Sequence, residues 1–176
     1  MTNTKTISKA VLHKSVGMKI TYGETIPMGD DEENDLDLVE KAYTVHVKAV
    51  PSKSLDVSLR RLIPHYTHIL GLTPDKVTVN GVYFDKYKTA IDTMMYRFKV
   101  NGAQVFENND ERSVVLIGAI VTPHGDVELN TPKINLDNGK YEFGGELKVA
   151  LDNFFNEVLA FDKGKITTKA QLEMSL

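Results

Sequence analysis

Apolar and polar residues alternate strictly along AYTVHVKAV, with Tyr43, Val45, Val47 and Ala49 on one side and Thr44, His46 and Lys48 on the other. A period of two over this length predicts a half-buried strand. KAVLHKSVGMKITYGETI alternates through Met18, Ile20 and Tyr22 and predicts two short strands with a tight turn near Gly17. After Pro51 the period changes. Leu55, Leu59, Leu62, Ile63, Tyr66, Ile69 and Leu70 recur at spacings of three and four, which predicts a helix capped by Ser54 and stopped by Gly71 and Thr73-Pro74. Pro64 falls inside it, where a kink or a second start is expected. KVTVNGVYF, TMMYRFKVNGAQVF and RSVVLIGAIV return to strand patterns, the last apolar enough to be buried on both faces. TPHGD reads as a turn with VELN as its return strand, and NTPKINLDNGK as a loop. Leu147, Leu151, Phe154, Phe155, Val158 and Phe161 form the stripe of a closing helix, its first turn blurred by Gly144-Gly145.

The order β-β-β-α-β-β-β-(β)-α predicts an α+β fold with a curved, largely antiparallel sheet, one internal helix and one long C-terminal helix. Three strands, a helix and further strands suit an OB-like barrel, whereas a meander closed by a long helix suits a helix-grip arrangement. Residues 1–162 are expected to form a single domain, with an acidic loop at 29–40 and a C-terminal tail at 163–176.

Composition narrows the function classes. The 176 residues are 41% hydrophobic and 26% charged, ordinary values for a globular chain, and contain no cysteine. Disulfides, thiolate nucleophiles and cysteine-ligated zinc are therefore excluded. No apolar run approaches a membrane span, so a cytoplasmic protein is expected, with no membrane partner. The net charge of −3 conceals an uneven distribution. Met28–Lys41 carries seven carboxylates and one lysine, while residues 43–100 hold nine Lys/Arg against four acids. That window is +5, which leaves −8 for the rest of the chain. Such asymmetry points to an anionic partner.

Motifs for catalysis are weak. His65 and His68 in PHYTH share a helix face at i, i+3, but no third metal ligand follows, and polar residues on a partly exposed helix are the expected reading. His124, Asp126 and Glu128 would share one face of an extended chain and suit a divalent metal, although PHGD reads first as a solvated hairpin tip. There is no G-x-S-x-G and no P-loop spacing. A non-enzymatic protein without metal or cofactor is expected.

The basic window also holds seven of the fourteen aromatic residues, interleaved with cations in VYFDKYK and MMYRFK. Single-stranded nucleic acid is bound by this combination, since cations neutralise phosphates and rings stack on bases. Lys48, Lys53, Arg60, Arg61, Lys86, Lys88, Arg97 and Lys99 are the phosphate candidates, and Tyr83, Tyr87 and Tyr96 the stacking candidates. In TMMYRFKV, strand alternation would put Tyr96 and Phe98 on one face and Arg97 and Lys99 on the other.

RSVVLIGAIVTPHGDVELNTPKINL, the helix GGELKVALDNFFNEVLAF and the ending KAQLEMSL resemble small uncharacterised proteins encoded by bacteriophages and prophages of gut bacteria. An I/V-x-G strand, a glycine turn, an Asn-Thr-Pro loop and a terminal helix recur there in that order. The resemblance spans about the last 65 residues. It implies a host-cytoplasm setting and a role in replication, recombination, counter-defence or virion assembly, and assigns no functional residue. Three functions are consistent with these observations. The leading one is a phage-type single-stranded nucleic-acid-binding protein, whose acidic run is either a solvated linker or a segment that folds over the basic surface and competes with the ligand. The others are a virion or assembly protein forming a homo-oligomer, and a small-ligand-binding helix-grip protein with a large apolar cavity.

Overall fold

Two strands flank β1 (Thr4–His13), which makes it the pivot of the sheet. The computed structural model describes residues 4–13, 17–28, 37–72, 96–108 and 111–164. On one side β1 pairs with β2 (Gly17–Met28), which pairs in turn with β3 (Asp37–Val47). On the other side it meets β4 (Phe98–Asn108), followed by β5 (Glu111–Thr122) and the short β6 (Gly125–Glu128). The order is β3-β2-β1-β4-β5-β6, antiparallel throughout, with the two-residue β7 (Ile134–Asn135) added to β5. The expected α+β class and antiparallel sheet are therefore present.

Helix α1 (Lys53–Ile69) links β3 to β4, and α2 (Gly144–Asp162) closes the described chain. Both pack on one face of the sheet. There Ala10, Ile20, Tyr22, Phe98, Val100, Val114 and Leu116 join the helical side chains Leu55, Leu62, Tyr66, Leu147, Leu151, Phe154 and Phe161 in one buried cluster. The expected stripe of α2 is buried along its whole length. Full burial of each such side chain stabilises the fold by about 1.5–3 kcal/mol.

Two glycines permit this packing. A Cβ on Gly102 would strike the Ala10 carbonyl oxygen, and Gly102 lies at a β-bulge where β4 meets β1. A Cβ on Gly118 would stand 2.7 Å from the Tyr66 ring, so that ring approaches β5 at a position with no side chain.

Several local expectations change. The cap of α1 is Ser52, whose hydroxyl accepts from the Leu55 N–H at 3.3 Å, while the Ser54 hydroxyl donates to Glu157 at 2.7 Å. Pro64 does not interrupt α1, which runs unbroken to Ile69. Gly71 ends it with φ of 67°, as expected: Leu72 N–H bonds to Thr67 C=O and Gly71 N–H to His68 C=O, a Schellman closure. The first two strands run longer than expected, and Asp37–Glu40 belong to β3 rather than to an acidic loop. Residues 29–36 lie outside the described residues, as do the strand expected at KVTVNGVYF and the tail from 165.

Candidate nucleic-acid interface

Tyr96 and Arg97 are helical, and the strand begins only at Phe98. This overturns the expected alternation across TMMYRFKV. Phe98 turns into the core at 8% exposure, against the Tyr66 ring, while Tyr96 stands 82% exposed. The change from helix to strand between residues 97 and 98 separates two rings that simple alternation would place together.

Tyr96 borders a pocket of about 380 Å³ between α1, the end of β1 and the start of β4. Arg60 and Asp56 line it from α1, Leu12 from β1, and Lys99 and Asn101 from β4, over a floor that includes Phe98 and Val100. Three of the expected residues, Arg60, Tyr96 and Lys99, are thus brought to one place, and exposed Arg97 is next in the chain. Two of the cations are already paired: Arg60 Nε with Asp56 at 2.8 Å, and Lys99 Nζ with Asp126 at 2.9 Å. These pairs are about half exposed, so each is worth less than about 1 kcal/mol and yields readily to a phosphate.

The other expected cations lie elsewhere. Lys53 and Arg61 line a second, wider groove of about 590 Å³ between α1 and α2, opposite Asn153, Asn156 and Glu157. Arg60 and Arg61 are neighbours in sequence but point into different grooves, because successive helical residues are 100° apart. Lys48 follows the end of β3, its backbone against Gly17. Lys86, Lys88, Tyr83 and Tyr87 lie outside the described residues.

Two further lysines, Lys9 and Lys19, share a sheet face with the expected Lys48. Cross-strand register puts Lys9 opposite Thr21, and Thr21 opposite Thr44. Val11 faces Lys19, and Lys19 faces His46. These residues alternate with the core positions Ala10, Ile20, Val45 and Val47, so they occupy the sheet face turned away from the helices. Lys19, Thr44, His46 and Lys48 are exposed and Lys9 is half-buried. Thr21 and Thr44 share a 3.2 Å hydrogen bond. The signal was the period-two spacing of Lys9, Lys19, Thr21, Thr44, His46 and Lys48, legible only once the three strands had a register.

The histidines correct another expectation. His65 is 2% exposed, not a surface residue, and its Nδ1 lies 3.0 Å from the Tyr141 hydroxyl. Burial, then the nearby His68, lowers its pKa to about 4. His68 packs edge-on to Phe143 and reaches Glu142 at 3.5 Å. This cluster clamps α1 to the segment preceding α2. His124 lies in the β5–β6 turn while Asp126 is taken by Lys99, and no metal-holding group of three occurs among the described residues.

No family model, no curated protein and no solved structure matches this chain. No helix among the described residues is long and apolar enough to cross a membrane.

Proposed function

We propose that this protein binds single-stranded nucleic acid without catalysing a reaction on it. The observation that carries the reading is Tyr96, an aromatic ring 82% exposed at the rim of a pocket that also holds Arg60 and Lys99. A ring left in water gains nothing from the hydrophobic effect, but it offers a base a stacking surface worth about 1–3 kcal/mol. Cations beside it supply the phosphate contacts that any base sequence shares. The chain order supports the OB-like alternative: three meandering strands, a helix, and further strands, with β1 paired to both β2 and β4. The ligand-enclosing helix-grip reading has less support, because large side chains such as Tyr22, Tyr66, Phe154 and Phe161 are fully buried where helices meet sheet.

Fluorescence anisotropy with a labelled oligonucleotide across a salt series tests the proposal. Binding is expected at low salt, and Tyr96→Ala should weaken it about fivefold to 150-fold, the range that 1–3 kcal/mol of stacking implies. Absence of binding at 20 mM salt would sink the proposal. A fixed oligomer in light scattering, with no oligonucleotide shift, would favour the assembly reading instead.

A further inference from the structure

The strand register assembles a cationic surface remote in sequence from the Tyr96 pocket. Lys9, Lys19 and Lys48 lie on the helix-free face of β1, β2 and the end of β3, with His46 directly across from Lys19. Among the described side chains at residues 6–13, 17–23 and 42–50 there is no carboxylate. None of these lysines forms an ion pair among the described residues, in contrast to Arg60 and Lys99. A solvated face usually mixes signs, and these described side chains do not. It also adjoins the pocket, since Lys99 alternates with the core positions Phe98 and Val100, so it stands on the same helix-free face and also lines that cavity.

We propose that the single-stranded nucleic acid follows a track across the sheet, from Lys48 and Lys19 over β1 to Lys99 and Tyr96. The inference rests on the nucleic-acid reading and deepens it by naming the path. Four adjacent strands at about 4.8 Å spacing set three intervals, roughly 14 Å, between β3 and β4. That is a span for several nucleotides rather than for one bound phosphate. Lysines on the sheet take the backbone, the Thr21 and Thr44 hydroxyls lie between them, and stacking is confined to the Tyr96 end. No Phe, Tyr or Trp ring shares the outward positions of β1–β3 among the described side chains. Recognition along the track is therefore electrostatic and independent of base sequence.

The test compares two double variants that remove equal charge. Lys19→Gln with Lys48→Gln removes two track cations, and Lys140→Gln with Lys163→Gln removes two exposed lysines bordering α2. Each released phosphate contact contributes about 0.7 to the salt slope for a single strand. The track variant should lower the slope of log K against log salt by about 1.4, while the control keeps the wild-type slope. Wild-type binding with equal slopes in both variants overturns the track and leaves the binding function standing. Absence of wild-type binding overturns both.

Discussion

A buried imidazole contributes to the acid response of this fold. His65 stays neutral because burial penalises its charged form and His68 adds like-charge repulsion, which brings its pKa to about 4. The unfolded chain gains a proton near the ordinary value of about 6.5, and the folded chain does not until about pH 4. Through that window the unfolded state holds more protons, so stability falls as the pH falls, by an amount on the order of 3 kcal/mol, and then levels off. Urea midpoints measured from pH 7.5 to 4 should trace this loss, and His65→Gln should flatten it. Asp137 acts in the same direction but lower. Hydrogen bonds from Lys148 and from the Arg112 N–H hold its carboxyl below the usual carboxylate range, so its contribution disappears only as the pH drops past about 3.8. A midpoint that stays level between pH 6.5 and 4.5 would show that His65 protonates without penalty.

Elements in this chain are joined by a few polar contacts over an apolar interface, and these were the least legible parts of the sequence. Tyr22 on β2 donates to Asp162 at the end of α2 at 2.6 Å, across a separation of 140 residues. The contact lets a carboxylate sit where the helix dipole disfavours one. Tyr22→Phe should cost about 1–3 kcal/mol in denaturant unfolding, the range for a hydrogen bond to a charged group, and Gly118→Ala a similar amount by forcing the Tyr66 ring off β5. Loss of less than half a kcal/mol in both would mean that the helices are held by apolar packing alone. The stripes of α1 and α2 were legible because a period of 3.6 needs only local sequence. Alternation likewise disclosed β3, and a continuous apolar run disclosed β5. Ser52 and Ser54 both suit the cap position of α1, and only the three-residue reach from Ser52 to the Leu55 N–H distinguishes them. Tyr96 was misplaced because its strand pattern continues through a helical turn. His65 was misjudged because its burial depends on Tyr141, far along the chain.

At the scale of the whole molecule, the charge asymmetry resolves into positions along one ribbon. Lys19 and His46 pair near its base, and Met28 and Asp37 pair nine residues further along. At about 3.3 Å per residue the two levels lie up to roughly 30 Å apart. Eight residues, 29 to 36, separate Met28 from Asp37, and half of their contour length is only about 15 Å. Direct competition between the acidic run and nucleic acid on Lys19 and Lys48, the expectation from sequence order, is therefore geometrically disfavoured. What remains is a field effect. Its range is the Debye length, about 8 Å at physiological ionic strength and about 30 Å at 0.01 M. Replacing Asp30, Asp31, Glu32, Glu33 and Asp35 by their amides should thus tighten oligonucleotide binding at 10 mM salt and leave it within twofold of wild type at 150 mM. A tightening that persists at 150 mM would mean that the acids reach the cations after all. In that case the acidic segment belongs to the binding surface as a competitor for it.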